Sequence, residues 1–307
     1  HVTDYRKNSF IFSHNDTYHY TLVSEPTSEW ENIILDNKKE KKIIDYLNSR
    51  KFGTNDWTYY FNNPEFDIEK ILQNKGVDIN KPIILMATNI IWDANLIYND
   101  NIFKNMLEWI FSTIDYFHKR SDLQLIIRTH PGEINYDRVS KQLVKEEIIK
   151  KYQNLPENIF IIGPDEDYST YPLAHYADTV LIYASKVGME FPPFGINVVV
   201  AGESYVKNKN ITLDPKSKKE YFKILDDLPT NKKLSSEKIE QAKKYAYHFF
   251  FRRMMVIKSI DENLGGWPNF KIKKTLFNDL AENKDKTLEV IAKSIINEES
   301  FIYDEPK

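Results

Sequence analysis

Residues 125–133 read LIIRTHPGE, a stretch in which an apolar run ends in residue types that bind anions and transfer protons. Arg128 could make a bidentate contact to a phosphate or carboxylate group. His130 could donate a hydrogen bond to a phosphate oxygen or act in proton transfer. Pro131 fixes φ and lacks an N–H group, which holds the strand exit in one direction. The alternative interpretation is that His130 is a partly buried strand-end residue that hydrogen-bonds only to the backbone.

A second stretch, YASKVGME at residues 183–190, predicts a strand, a tight turn and a helix. Ser185 would cap this helix, whose free N–H groups and positive dipole end suit an anion. Gly188 in the first turn permits close approach of a ligand or of a neighbouring element. Glu190 could accept hydrogen bonds from a ribose. The alternative is plain N-capping by Ser185, with Glu190 in solvent.

Three further strand exits carry polar residues. The run GPDED at residues 163–167 could bind a cation, although a loop of solvated charges is the favoured interpretation. The run AGESY at residues 201–205, which contains Gly202, is a loop that could contact a ligand. Asn89 and the pair Trp92-Asp93 follow the first predicted strand in the same way.

The N-terminal run SHNDTYHY concentrates ionisable and aromatic side chains. In an extended segment His14, Asp16 and Tyr18 share one face, because side chains alternate with a period of two. Asp16 could therefore contact an acceptor or act as a general base, or the run could be a structural polar strand. Metal binding by His14, Asp16 and His19 lacks the tight ligand spacing that would support it, so no metal site is predicted.

The elements that position these residues follow from the apolar pattern. Five continuous apolar runs predict buried strands, at residues 83–88, 123–129, 159–163, 179–184 and 197–202. Helices are predicted between them, at residues 100–119 and 136–151 among others. This alternation indicates a mostly parallel sheet with helices on both faces, and ligands of such sheets collect beyond the carboxyl ends of the strands. A long helix capped by Ser235 or Ser236 follows. The aromatic run YAYHFFFRR at residues 245–253 is predicted to be a core stripe buried against the sheet, with membrane-surface binding as the alternative.

Composition excludes several classes of protein. The net charge of −3 gives no electrostatic case for nucleic acid, and the absence of cysteine excludes disulfides and thiolate sites. No apolar run is long enough to span a membrane, and no GxGxxG or Walker loop occurs. We therefore predict a cytoplasmic protein, with peripheral association at the inner face of the membrane as an option. The first residues include neither a signal-peptide core nor an initiator Met, which predicts that the sequence begins inside a longer protein.

Taken together, RTHPGE, the block YPLAHYADTVLIYASKVGMEFPPFGINVVVAG and YAYHFFFRR resemble the capsule polysaccharide biosynthesis family, which includes Kdo transferases. They are similar, more widely, to GT-B glycosyltransferases with an HP motif and a downstream serine motif. The resemblance covers about residues 80–260. It implies two Rossmann-like domains, of which the C-terminal one holds a nucleotide-sugar, most often a CMP-sugar, without a metal or other cofactor. By the same resemblance His130 and Ser185 would contact the donor phosphate, and Glu190 would reach the ribose.

This sequence departs from the family pattern in two places. Lys186 stands where relatives commonly have Ser or Thr, and about 80 N-terminal residues are too few for a full Rossmann domain. The expected architecture is an α/β protein of GT-B type with a reduced or truncated N-terminal domain. Its expected parts are an acceptor-side region (1–79), a Rossmann-like nucleotide-sugar-binding domain (80–265) and a C-terminal helical tail (266–307).

The predicted function is transfer of a sugar from a nucleotide-sugar such as CMP-Kdo to a capsule, lipopolysaccharide or other glycan or glycolipid acceptor. The alternatives are a CDP-glycerol-type glycerophosphotransferase and a non-catalytic capsule assembly or export protein. The predicted catalytic residues are His130 and a carboxylate base, Asp16 or else Asp93. The predicted donor-binding residues are Arg128, His130, Pro131, Glu133, Ser185, Lys186, Gly188, Glu190 and Gly202.

Overall fold

The computed structural model describes residues 6–61, 64–93, 96, 98, 101–135, 139–262, 270–273, 281 and 284–304. The chain forms two compact units. The sheet unit is Tyr60–Ala242, and the terminal unit combines His1–Tyr59 with Lys243–Lys307. The compact units divide between residues 59 and 60 and between residues 242 and 243. The domain boundaries predicted from the sequence, at 79/80 and 265/266, stay predictions.

The strands in the described part of the chain are β1 (Ser9–Phe10), β2 (Ile83–Ala87), β3 (Gln124–Arg128), β4 (Ile159–Ile162), β5 (Thr179–Ile182), β6 (Asn197–Val200), β7 (Met255–Val256), β8 (Ile260–Glu262) and β9 (Phe270–Ile272). The α-helices are α1 (Tyr18–Ser24), α2 (Asn37–Ser49), α3 (Ile68–Asn74), α4 (Met106–Phe117), α5 (Val144–Lys151), α6 (Thr170–Tyr176), α7 (Val187–Glu190), α8 (Lys218–Asp226), α9 (Ser236–Tyr247) and α10 (Lys286–Asn297). A π-helical turn, His248–Arg253, continues α9.

The sheet unit is built on five parallel strands in the order β4-β3-β2-β5-β6. All residues of β2, β3, β5 and β6 are buried, which is why their sequences are continuous apolar runs rather than alternating ones. Along the chain, the first strand of this sheet, β2, lies in its middle, and β3 and β4 follow towards one edge. The next strands, β5 and β6, lie on the other side of β2, which is the doubly wound arrangement. The predicted α/β fold, a parallel sheet flanked by helices, is confirmed.

Two helices of this unit begin later than the sequence pattern predicts. Helix α4 begins at Met106 rather than near residue 100, because the Asn105 side chain accepts a hydrogen bond from the Glu108 N–H group at 2.9 Å. Helix α5 begins at Val144, and residues 139–143 of the predicted helix 136–151 are not helical. Residues 136–138 lie outside the described residues.

In the terminal unit β1 pairs with β7 in antiparallel orientation. Thr17 caps α1 through its side chain, so Tyr18 and His19 are helical. The prediction that His14, Asp16 and Tyr18 share one face of an extended segment is therefore wrong. The predicted burial of the aromatic run is confirmed, since Phe249 and Phe250 have no exposed surface. Within the described residues, no helix is both long and apolar enough to cross a lipid bilayer.

Candidate functional site

The carboxyl ends of β2 and β5 meet where the strand order reverses. A hydrogen bond joins the two exits: the Ala184 N–H group donates to Oδ1 of Asn89 at 3.2 Å. In open parallel sheets this crevice is where ligands bind. The polar residues that follow β3, β4 and β5 are therefore the candidate site of the sheet unit.

His130 follows β3 and is oriented by the turn behind it. Its Nδ1 accepts a hydrogen bond from the Gly132 N–H group at 3.0 Å, and its ring lies edge-on to Tyr60 at 5.2 Å between centroids. Because Nδ1 is the acceptor, the neutral imidazole carries its proton on Nε2. Among the described residues, Nε2 of His130 has no hydrogen-bond partner. The side chain thus offers one N–H donor.

The charge state of His130 is set by its surroundings. The residue is half-buried, and burial, with smaller contributions from the charges of Lys186 and Arg128, lowers the pKa of His130 to about 3. The ring is therefore neutral at pH 7 and is a hydrogen-bond donor rather than an acid. His130 follows β3 and Lys186 follows β5, so the two residues leave the carboxyl ends of different strands of one sheet. An N–H donor and a cation at one edge of a sheet can together bind a phosphate group.

Gly132 is required by this arrangement. A Cβ atom at this position would lie 2.9 Å from Nδ1 of His130 and 3.0 Å from the Tyr60 ring. Any larger residue would push the imidazole away from the Gly132 N–H group. The turn Pro131–Glu133 is a single 3-10 turn, with Pro131 in its first position.

Arg128 is turned towards the loop that follows β4. Its guanidinium is buried, with Nη1 donating to the Gly163 carbonyl and Nη2 donating to the carbonyls of Glu166 at 3.2 Å and Tyr168 at 3.0 Å. Burial lowers the pKa of Arg128 to about 10. Both terminal nitrogens thus bind backbone carbonyls, and the predicted bidentate contact to an anion stays a prediction.

Glu133 lies inside the sheet unit. It is fully buried, and its Oε1 accepts a hydrogen bond from the Val144 N–H group at 3.1 Å, which starts α5. Burial raises the pKa of Glu133 to about 7. Its position inside the fold speaks for a capping role rather than for donor contact.

The helix that follows β5 is shorter than the sequence pattern predicts. Helix α7 has four residues and its N-cap position is Lys186, while Oγ of Ser185 accepts only a long 3.5 Å hydrogen bond from the Val187 N–H group. A single helical turn has a small dipole, so the anion site predicted from the helix end is weak here. Lys186 supplies the positive charge at this position instead. A Cβ atom at Gly188 would lie 2.8 Å from Ile182, so this glycine serves packing between elements.

Glu190 is buried, so the alternative that it lies in solvent is wrong. Its Oε2 accepts a hydrogen bond from the Tyr171 hydroxyl at 2.7 Å. This bond ties the end of α7 to the first turn of α6.

The remaining strand exits of the sheet unit are packed loops. Glu166 forms an ion pair with Lys75, and its Oε1 accepts a hydrogen bond from the Gly163 N–H group at 2.7 Å. The loop that was predicted to carry solvated charges therefore contains at least one charge that is paired within the protein. Gly202 donates its N–H to the Tyr183 carbonyl at 2.9 Å. Asp93 is exposed.

Asp16 lies in the terminal unit, where it is exposed and its Oδ1 accepts from the Thr17 N–H group at 2.6 Å. Nearby, Nε2 of His14 is hydrogen-bonded to the Glu299 carbonyl at 2.9 Å, and burial lowers the pKa of His19 to about 4. The part of the chain that the structure describes contains no group of three or more acidic, histidine or cysteine side chains able to hold a metal ion.

Two residues of this site were not predicted from the sequence. Tyr60 stands against the His130 ring, and Tyr171 holds Glu190. Tyr60 lies in a segment that carries no motif, and only its aromatic type, in a sequence with 19 tyrosines, could have drawn attention to it. Tyr171 is the first residue of the block YPLAHYADTV that carries the resemblance, but no role was predicted for it.

No protein-family model matches the sequence, and no curated protein matches it. Among solved structures, the chain is similar to Thermosulfurimonas dismutans KpsC, a β-Kdo 2,4-transferase, with 12% identity and a TM-score of 0.45, over 76% of this chain and 63% of that chain. It is also similar to the UDP-GlcNAc 2-epimerase of Methanocaldococcus jannaschii in complex with UDP-GlcNAc and UDP, with 12% identity and a TM-score of 0.40, over 71% and 54% of the two chains.

A third similarity is to the UDP-GlcNAc 2-epimerase of Neisseria meningitidis bound to UDP-GlcNAc, with 14% identity and a TM-score of 0.39, over 60% of this chain and 48% of that chain. The chain thus spans about three fifths of the length of the KpsC structure. Likeness at these levels assigns no residue role and no activity to this chain.

Proposed function

We propose that this chain is a GT-B-type glycosyltransferase that transfers a sugar from a nucleotide-sugar donor to a capsule, lipopolysaccharide or other surface glycan. The observation that carries the proposal is that His130, after β3, and Lys186, after β5, both follow the carboxyl ends of parallel strands, at the edge where the Ala184 N–H group donates to Asn89. A neutral N–H donor and a lysine therefore lie at the edge where parallel sheets bind ligands. The resemblance of the RTHPGE and YASKVGME runs to the HP and serine motifs supports the same assignment.

The chemistry requires stabilisation of a leaving phosphate. As the bond to the anomeric carbon breaks, the sugar takes on oxocarbenium character and negative charge grows on the phosphate. Nε2–H of His130 and the ammonium of Lys186 would stabilise that charge without reorganising. A lysine cation at this position is consistent with a metal-independent reaction, which forms part of the proposal.

The donor is proposed to be a CMP-sugar, and the acceptor a glycan or glycolipid met at the inner face of the membrane. The base that activates the acceptor is proposed to be a carboxylate, with Asp16 the first candidate and Asp93 the second. A side-by-side comparison of Asp16→Asn and Asp93→Asn in a transfer assay separates these two.

A thermal-shift comparison of CMP, CDP and UDP tests the donor. A nucleotide present at 100 times its Kd stabilises the folded protein by about 2.7 kcal/mol, which raises the melting temperature by about 4 °C in a protein of this size. We expect this shift with CMP. A shift with CDP alone would favour a glycerophosphotransferase, a shift with UDP alone would refute the CMP donor, and no shift at all would favour a non-catalytic assembly protein.

Variants of His130 test the site itself. We expect His130→Ala to weaken nucleotide binding about tenfold or more. His130→Gln should recover part of it, because its amide can place an N–H donor near the position of Nε2. His118→Ala is the matched control, since His118 is an exposed histidine at the end of α4 in the same unit. Normal binding by His130→Ala would refute the site.

A further inference from the structure

Arg128 gathers three backbone carbonyls of one loop. The three acceptors, those of Gly163, Glu166 and Tyr168, all lie in the segment that leaves β4. A guanidinium presents its donors in a fixed planar fork, so it can hold several carbonyls of one loop at defined positions. An ammonium group, whose donors are grouped at a single point, cannot make the same set of contacts.

Two other residues, Lys75 and Glu65, also bind the loop that follows β4. Lys75 pairs with Glu166 and also donates to the Ile161 carbonyl at 3.4 Å. The Glu65 N–H group donates to the Asp167 carbonyl at 2.9 Å. The exit of β4 is therefore a fixed segment, in which Arg128 is the contact that comes from inside the sheet.

The loop leads directly to a residue of the candidate donor site. Residue 169 precedes α6, and Tyr171 in the first turn of α6 donates to Glu190 at the end of α7. A continuous path of contacts thus runs from the exit of β3, through the loop after β4, to Glu190 at the end of α7, the residue that the family resemblance expects to reach the donor ribose. A shift of the loop would move Tyr171 and with it the carboxylate of Glu190.

We propose that Arg128 is a positioning residue of the donor site, which acts through the loop 163–168 and Tyr171 on Glu190 and does not touch the donor. This inference rests on the proposed nucleotide-binding function. It replaces direct phosphate binding by Arg128 with an indirect role. It also gives the charge of Arg128 a second effect, since that charge is one of the causes that keep His130 neutral.

The chain supplies a matched control at the opposite end of the same strand. Arg120 precedes β3 and donates to the carbonyls of Leu225 at 3.1 Å and Leu228 at 2.7 Å. It is also an arginine that holds backbone carbonyls, but it lies at the amino end of β3 rather than at the carboxyl end. Arg120→Lys therefore reports the general cost of replacing such an arginine.

The experiment compares Arg128→Lys with Arg120→Lys by hydrogen exchange of residues 163–171 and by calorimetric titration with CMP. We expect Arg128→Lys to speed exchange in this segment and to weaken CMP binding, each about tenfold. Arg120→Lys should leave both within about twofold of the wild type. Unchanged CMP binding in Arg128→Lys, or equal losses in Arg120→Lys, would overturn the inference. Absence of CMP binding in the wild type would instead refute the proposed CMP donor, and exchange would still show whether Arg128 holds the loop.

Lys75→Met perturbs the same loop without changing Arg128. It replaces the first experiment if Arg128→Lys does not fold. It removes the ion pair to Glu166 but keeps the Arg128 charge, so the pKa of His130, followed by NMR, should stay at its wild-type value. We expect faster exchange in residues 163–171 together with CMP binding weakened about threefold. Faster exchange with unchanged CMP binding would contradict the link between the loop and the donor site.

Discussion

The carboxyl of Glu133 titrates near neutral pH because it is buried inside the sheet unit. Its ordinary pKa of 4.5 applies in the unfolded chain, whereas burial raises the pKa to about 7 in the folded protein. Between these two values the folded protein keeps a proton that the unfolded chain releases. The free energy of unfolding must therefore fall as the pH rises through this window.

We expect Glu133→Gln to remove this pH dependence, because glutamine imitates the protonated carboxyl and still accepts from Val144. The variant should match the wild type near pH 4 and exceed its free energy of unfolding by up to about 3 kcal/mol above pH 7. Urea unfolding of both proteins from pH 4 to pH 8 measures the difference. Parallel curves over the whole range would contradict the raised pKa.

The sequence could place residues at strand exits but could not assign their roles. Arg128 and His130 lie two positions apart, and both are polar residue types that bind phosphate. Only the course of the chain after β4 decides that Arg128 turns to carbonyls some 40 positions away, while Nδ1 of His130 accepts from the Gly132 N–H group. The helix after β5 is short for a local reason, since Pro192 and Pro193 follow Phe191 and end α7 after four residues.

At the scale of elements, the packing of α7 depends on the absence of a side chain at Gly188. A Cβ atom there would lie 2.7 Å from Cγ2 of Val206 and 2.8 Å from Cδ1 of Ile182, both closer than real Cβ contacts. Neither neighbour has space to retreat, because both are fully buried.

We expect Gly188→Ala to lower the free energy of unfolding by about 1–3 kcal/mol, because the added methyl group overpacks this contact. The Val206→Ala background provides space on one side, so the same substitution should cost less there. Thermal or urea unfolding of the four proteins of this double-mutant cycle gives the coupling. Equal costs in the two backgrounds would show that the methyl group does not meet Val206.

The five strands could be predicted from the apolar runs, because strands that are buried on both faces of a parallel sheet consist mainly of apolar residues. Helix starts were harder to predict when the cap came from outside the segment. Glu133, eleven positions earlier, caps α5 at Val144, and no local pattern announces such a bond. Where the cap was local, as with Ser235, whose Oγ accepts from the Lys238 N–H group at 3.3 Å, the predicted start of α9 is confirmed within a residue.

At the scale of the whole molecule, the terminal unit joins segments from the two ends of the sequence. Phe301 packs its ring 5.6 Å from Phe12 and 4.5 Å from His14, measured between centroids. The Phe301 carbonyl also accepts a hydrogen bond from the buried Arg253 at 3.1 Å. Contacts across nearly 290 positions leave no trace in local periodicity, so the sequence could not predict this division of the chain.

We expect Phe301→Ala to lower the free energy of unfolding of the terminal unit by about 3–5 kcal/mol, the usual loss for a buried phenylalanine. Asp304→Ala is its matched control, three positions further on. Asp304 forms an ion pair with Arg252, and the aspartate side chain is exposed. Exposed ion pairs contribute about 1 kcal/mol or less to the free energy of unfolding. Chemical unfolding measures both, and similar losses in the two variants would contradict the anchoring role of Phe301.

The division of the chain also sets an order of events during synthesis on the ribosome. The sheet unit is one uninterrupted stretch, and its last residue, Ala242, is made before any residue of the second half of the terminal unit. Domains fold as they emerge, so the sheet unit can close while residues 6–59 still wait for a partner. The contacts of Phe301 with Phe12 and His14 can form only once Phe301 has been added, so residues 6–59 are the part of the nascent chain that stays exposed longest.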